Sequence, residues 1–245
     1  MSKKIRLLSL LMRSGDFERS SAAEQAVLDG RVTVDGAKAT NPGHSVKAHA
    51  AVKLDGHPLE VKPFVYMILN KESGMVCQKS AKEKTVYDVI ASMQEIDPKT
   101  RAGLFCVGRL DRDTEGLLIV TNDGQLEKLL TKSGNRVLKT YSVGTAATVS
   151  DDDITALQRG IEIEDDDTGK AFFVKAVAVK RLGERKIEMG INEGRKRQVK
   201  KMFEALGNKV VSLRRVGIGG LRLEDLDFKG KRYLIVNKRD LRLPR

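Results

Sequence analysis

Tryptophan is absent from this 245-residue chain, and aromatic residues of all kinds make up 4% of it. Few rings are therefore available to stack on a ligand or a base, and each of the four tyrosines is worth placing. Histidine is scarce too: His44, His49 and His57 all lie in the first 57 residues. That excludes a histidine base or a histidine-based metal cluster from the rest of the chain. Covalent and acid–base chemistry there falls to carboxylate, tyrosine, lysine or cysteine. The two cysteines, Cys77 and Cys106, sit in apolar strand-like runs with no second pair nearby. A disulfide scaffold or a zinc site is not expected, and a reducing cytoplasm fits. No apolar run approaches the roughly 20 residues that span a bilayer. The opening MSKKIRLLSLLMRSGD has the charged head and apolar stretch of a signal peptide but no small-residue cleavage site. Its Ile5, Leu8, Leu11 and Met12 fall at helical spacing, so we read a first helix. A glycine-rich phosphate loop and internal repeats are also missing.

What the chain does have is charge, at 32% of residues beside 40% hydrophobic, the balance of an ordinary globule. The net charge of +12 is unevenly placed: residues 180–245 carry twenty basic and eight acidic side chains, which is the whole excess. A concentrated basic region is the electrostatic footprint of a polyanion partner, because each neutralised phosphate releases condensed counterions.

The first 57 residues read as a small αα-β unit. A helix from about Lys4 to Arg13 stops at Gly15. The run Ser21-Ala22-Ala23-Glu24 has the form of a capping box that starts a second helix ending at Gly30. Val32 and Val34 alternate before Asp35-Gly36, a hairpin turn signal, and AAVKLDG is a further short strand. Two prolines in residues 58–64 (PLEVKPF) mark a linker. Beyond it, VYMILN, LFCVG, LLIVTN, TYSVGTAATV, AFFVKAVAV and KIEMGIN predict strands, and helices are predicted at about 85–94, 123–131, 151–159 and 195–206. The elements lack a regular βαβ rhythm, so the expected fold is α+β with a mixed, largely antiparallel sheet over 65–245.

Between the apolar runs LFCVG and LLIVTN sits RLDRDTEG, five charged groups in eight residues. A carboxylate at Asp111, between Arg109 and Arg112, stays ionised, as a nucleophile must. The pattern alone equally allows a solvated loop joining two strands, or Asp111 and Asp113 as metal ligands of a nuclease. In NEGRKRQVKKMFEALGN, Val199, Met202, Phe203 and Leu206 mark one buried helix stripe. Arg195, Lys196, Arg197, Lys200 and Lys201 crowd its first two turns. Cations there oppose the helix dipole, which an anionic partner such as RNA phosphate or a buried carboxylate would offset. Tyr141, in VLKTYSVG, lies in a strand pattern and is either packing or a stacking surface.

These residues carry a resemblance. VGRLDRDTEGLLIVTNDG is similar to the signature of the RsuA-type bacterial ribosomal RNA pseudouridine synthases, and EGRKRQVKKMFEALG resembles that family's third motif. The order LNKESG, GRLD, KTY, EGRKRQVKKMF agrees, and residues 1–57 resemble the S4-like RNA-binding domain. The resemblance implies Asp111 as the catalytic aspartate, Tyr141 as the ring that stacks on the target uracil, and Lys200 as the basic partner that holds Asp111 ionised. It implies Arg109 as a residue that helps displace the base. Arg195, Lys196 and Arg197 are then expected on phosphates, with Arg19 and Arg31 as RNA contacts of the first unit. No cofactor or metal is implied, since the reaction is an isomerisation. The expected partner is ribosomal RNA or a small-subunit assembly intermediate, bound by a cytoplasmic monomer. QVKKMF resembles the 16S branch most; a 23S enzyme and a non-catalytic assembly factor are the alternatives. Two positions depart from the family: Lys71-Glu72 where many relatives have Lys-Pro, and Arg6-Leu7-Leu8-Ser9 where Arg-Leu-Asp-Lys is common.

Overall fold

The computed structural model describes residues 4–17 and 19–243. Two compact units separate along the chain. One takes the residues up to Tyr66 with Asp88–Phe105 and Val120–Gly124; the other takes Met67–Tyr87, Cys106–Ile119 and the chain from Gln125 onward.

In the first unit, strand β1 (Lys4–Arg6) leads into helices α1 (Leu7–Ser14) and α2 (Ser20–Leu28). The short strands β2 (Val32–Val34), β3 (Ala37–Lys38), β4 (Ser45–Lys47), β5 (Val52–Leu54) and β6 (His57–Pro58) follow. The first helix thus begins at Leu7 and not at Lys4, because Lys4–Arg6 pairs antiparallel with Ser45–Lys47, setting Ile5 opposite Val46. It stops at Gly15, whose φ of 76° is open to glycine; a Cβ there would come within 2.4 Å of the Lys99 carbonyl oxygen. The expected capping box is absent. Helix α2 starts two residues earlier, with extended Arg19 as its N-cap in place of Ser21, so Ser21 lies inside the first turn. The Asp35-Gly36 hairpin is present, with φ of 50° and 87°, the left-handed pair of a type I′ turn. Leu7, Leu10, Leu11, Phe17, Val27, Val32, Val46 and Val52 form the core of this unit.

The rest of the chain supplies β7 (Tyr66–Lys71), α3 (Val86–Ser92), α4 (Pro98–Ala102), β8 (Phe105–Cys106), β9 (Glu115–Thr121), α5 (Gly124–Thr131) and β10 (Lys139–Thr145). It continues through α6 (Asp151–Arg159), β11 (Ile161–Glu164), β12 (Ala171–Val174), β13 (Ala178–Gly183), β14 (Lys186–Ile191) and α7 (Gln198–Ala205) to β15 (Val210–Ile218), β16 (Leu221–Arg222) and β17 (Tyr233–Val236). The main sheet runs β13-β14-β10-β15-β9-β7-β17. Strands β13, β14, β10 and β15 pair antiparallel in succession, and β15 lies parallel to β9. The fold is α+β with a mixed, mostly antiparallel sheet, as the sequence predicts. The stretch AFFVKAVAV divides, however: β12 forms a hairpin with β11 while β13 joins the edge of the main sheet.

Burial explains the central position of β7 and β9. Met67, Ile68, Leu69 and Leu117–Val120 are at most 1% exposed, an unbroken apolar run on each strand. Each such side chain contributes about 1.5–3 kcal/mol, so β7 and β9, the second of which continues directly from RLDRDTEG, are firmly held. No helix among the described residues is long and apolar enough to cross a membrane.

Candidate active site

Strand β7 ends in a lysine that is 1% exposed. The Lys71 ammonium donates to the carbonyls of Glu72 (3.1 Å), Asp111 (3.1 Å), Arg112 (3.2 Å) and Thr114 (2.7 Å). Carbonyl dipoles replace water around a buried charge, without which its burial would cost several kcal/mol. Burial pulls its pKa below the ordinary lysine value, while the charges of Cys77, Asp113, Asp111 and Glu115 oppose that shift. The Thr114 N–H closes the turn on the Asp111 carbonyl at 3.1 Å. With three of its carbonyls drawn onto Lys71, the loop is left to present its carboxylates elsewhere. Gly116 makes the supporting strand pairing attainable: at φ 102°, a Cβ there would sit 2.3 Å from the Arg215 carbonyl oxygen on β15.

The structure brings Asp111 and Lys200 together. Lys200 Nζ lies 3.6 Å from Asp111 Oδ2 and 2.5 Å from Asp113 Oδ1. The tighter partner is therefore Asp113, and the Lys200 hydrogen bond holds that carboxyl below its ordinary value of 3.8. The expected exclusive pair is in fact a shared cation. At 3.6 Å Asp111 feels the charge without a strong hydrogen bond, which leaves its oxygens free to react. The same ammonium, with its side chain 11% exposed, stands between the two carboxylates where a nuclease metal would need to sit. Among the described residues no group of three or more His, Cys, Asp or Glu is placed to hold a metal.

Lys200 belongs to α7, which spans Gln198–Ala205 and not 195–206. Arg197 adopts φ 54° ahead of it, and the Gln198 side chain accepts from the Arg195 N–H at 3.0 Å. Arg195, Lys196 and Arg197 consequently form a turn before the helix, and only Lys200 and Lys201 lie in its first turn. Lys201 is offset by the Glu164 carbonyl (2.5 Å) and Asp166 (2.8 Å), an acidic partner the sequence pattern did not reveal.

A cleft of about 1070 Å³ opens beside this loop. Asp111, Arg109, Tyr141, Cys77, Cys106 and Arg215 are on its wall, as is the 195–197 turn; Lys200 and Asp113 are not. Of the residues on the cleft wall, Asp111 lies 3.6 Å from Lys200. Tyr141, 8% exposed, sits on β10 directly opposite Arg215 of β15. Arg215 is 4% exposed; its Nε donates to the Leu117 carbonyl at 2.7 Å, and its Nη2 is buried with no hydrogen-bond partner. Leaving a buried donor unpaired costs about 1–3 kcal/mol, more when charged. The Leu110 N–H donates to Cys77 Sγ at 3.4 Å. A hydrogen bond from Cys106, together with that N–H and the Lys71 and Arg215 charges, holds the Cys77 thiol down at about 6 against burial.

The predicted RNA contacts fall into two groups. Arg109 is exposed on the cleft, and Arg19 is exposed on the first unit. The others already have partners: Arg195 stacks on Phe172 (3.6 Å), Lys196 pairs with Asp167 (2.6 Å), Arg197 with Glu204 (3.3 Å) and Arg31 with Asp55 (2.5 Å). Lys71 and Arg215 went unread as site residues. In the sequence Lys71 stands out only in Lys71-Glu72, a departure from the family, and no strand is predicted where β15 carries Arg215.

Known proteins resemble this chain in sequence and fold. The sequence profile described as RNA pseudouridylate synthase matches residues 65–205, and that of the S4 domain matches residues 5–57. An uncharacterized RNA pseudouridine synthase of Bacillus subtilis, YtzG, is 34% identical over 90% of both chains. The ribosomal large subunit pseudouridine synthase B of Bacillus subtilis is 30% identical over 94% of this chain and 91% of its own. The ribosomal small subunit pseudouridine synthase A of Salmonella typhimurium is 31% identical over 83% and 84%. A crystal structure of a pseudouridylate synthase superposes with a TM-score of 0.65 at 28% identity, covering 97% of this chain and 98% of that one. The fold and the family are those of an RNA-modifying isomerase. More narrowly, the chain belongs to the RNA pseudouridylate synthase family, with an S4 domain at its N-terminus, and is an RNA pseudouridine synthase of the RsuA/RluB type.

Proposed function

We propose that this enzyme converts one uridine of ribosomal RNA, in the 16S molecule, to pseudouridine, with Asp111 as nucleophile. The observation that carries the mechanism is the Lys200 ammonium, 3.6 Å from Asp111 and hydrogen-bonded to Asp113, beside a cleft that also holds Tyr141. A flipped uracil lies on the Tyr141 ring within reach of Asp111. The N1–C1′ bond breaks, the base turns, and C5 bonds to C1′ as its proton leaves and N1 gains one. Atoms and electrons balance, so no cofactor is required. Lys200 positions Asp111. Arg109 helps displace the base, while Arg195, Lys196, Arg197, Arg19 and Arg31 meet phosphates, the paired ones by exchanging an acidic partner for RNA.

In this reading residues 1–57 bind RNA, 58–64 link, and 65–245 catalyse, in a cytoplasmic monomer acting on ribosomal RNA or a small-subunit assembly intermediate. The QVKKMF string supports the 16S assignment. Pseudouridine mapping of both ribosomal RNAs from cells lacking the gene is the test. One site lost from 16S is expected; a site lost from 23S moves the substrate, and no lost site overturns the ribosomal reading.

A further inference from the structure

Arg215 has one anchored nitrogen and a buried Nη2 with no partner, on the wall of the cleft that Asp111 and Tyr141 share. Its strand position is informative. Paired residues on neighbouring antiparallel strands project to the same face about 5 Å apart, and Arg215 is the β15 partner of Tyr141. A planar base lying on the tyrosine ring therefore turns one edge toward the guanidinium. No ion pair of Arg215 occurs among the described residues; its charge is felt by Cys77, whose thiol it helps to hold low, and by Lys139, which burial first and Arg215 next hold below the ordinary lysine value. Two like charges at the base of the cleft favour whatever brings negative charge there.

We propose that Arg215 is a substrate-contacting residue that donates to a carbonyl oxygen of the flipped uracil, and so selects uracil over cytosine. The inference rests on the reading of Tyr141 as the stacking ring. A guanidinium offers donors only, so the edge it receives must present an acceptor. Uracil has carbonyls at C2 and C4, related by a half-turn about the axis through N3 and C6. That half-turn is the one that replaces N1 by C5 at the sugar. A donor fixed at this place meets one carbonyl before the turn and the other after it, and is satisfied in substrate and product alike. Between the two, the detached base carries negative charge on the same oxygens, where a preorganised cation stabilises it most. Cytosine has an amino group at C4, so one of its two orientations sets donor against donor. This argument holds whichever carbonyl arrives first.

The test uses the full-length enzyme and a synthetic RNA hairpin around the mapped uridine, made with oxygen, with sulfur at C2, or with sulfur at C4. Sulfur is a weak acceptor, so each replacement is expected to lower kcat/KM of the wild type by about tenfold, the loss of one charge-assisted hydrogen bond. Arg215→Met is expected to lose about 10- to 100-fold on the oxygen substrate and to show less than about a twofold further loss with sulfur. Arg215→Lys keeps a donor and a charge, and is expected to retain part of both the rate and the sulfur sensitivity. A folded Arg215→Met that keeps the wild-type sulfur loss overturns the proposal, because a merely structural role would lower the rate and leave that sensitivity unchanged. Should neither variant fold, the wild type decides: no sulfur effect at either position refutes the contact. An enzyme that forms no pseudouridine in any ribosomal RNA refutes the proposed function instead, so the two failures are distinguishable.

Discussion

Lys71 and Lys196 are cations of the same compact unit, held in opposite ways. Lys71 is 1% exposed and fixed by four backbone carbonyls, whereas Lys196 pairs at 2.6 Å with an aspartate side chain that is 67% exposed. The contrast extends to their neighbours. Around the Asp111 loop, positions are set by main chain: Lys71 on loop carbonyls, Arg215 on the Leu117 carbonyl, Gly116 against β15. Along the 195–197 turn, the contacts are ion pairs and one ring stack, which water and salt compete with. On the proposed function, the chemistry rests on contacts that cannot rearrange cheaply, and phosphate recognition on contacts open to exchange.

The difference can be broken most severely at Lys71. Lys71→Met strands carbonyls of Asp111, Arg112 and Thr114 in the interior, and should cost about 2–4 kcal/mol in chemical denaturation, with activity falling in step. Normal stability in that variant would mean the ammonium does not hold the loop. Lys200→Met comes next. Since Lys200 is off the cleft wall, kcat should fall about 100-fold from a misplaced Asp111, with RNA affinity almost kept. A change confined to KM would instead make Lys200 an RNA contact.

Substitutions at the turn should be milder and of another kind. Lys196→Ala or Arg197→Ala should weaken RNA binding about equally across sequences and flatten the dependence of log K on log salt by about one unit each, leaving kcat unchanged. Asp113→Asn gives the smallest effect. Because Lys200 depresses its pKa, the stabilising contribution of this carboxylate is present above the unfolded value and is lost as pH falls through the lower folded one. The melting difference from wild type should be constant from about pH 5 to 8, begin to shrink near the ordinary value of 3.8 and vanish only below the lower folded value; a difference that persists there would place its origin outside the ion pair.

How far the sequence revealed this arrangement follows from what each residue signals. Asp111 and Tyr141 sit in elements with strong local patterns, an apolar-bracketed charged loop and an alternating strand. Their partners are non-local. Lys71 is one charged residue at the end of an apolar strand, and its value lies in carbonyls forty residues away that have no side-chain signature. Strand β15 carries Arg214 and Arg215 in its middle, which masks its alternation. The start of α7 was misplaced because helix propensity cannot foresee the left-handed Arg197 ahead of the helix, where the Gln198 side chain folds back on the Arg195 N–H. The missing capping box has a similar cause: the motif is present, but the extended N-cap falls at Arg19, two residues sooner.

Tritium release from RNA labelled at uridine C5 tests the central claim, by comparing wild type with Asp111→Asn at equal RNA occupancy. The account predicts RNA affinity within about threefold of wild type and no tritium release above background, since the replacement keeps shape and removes the nucleophilic charge. Release within about tenfold of the wild-type rate would contradict it, and would show that the carboxylate beside Lys200 is not the group that does the chemistry.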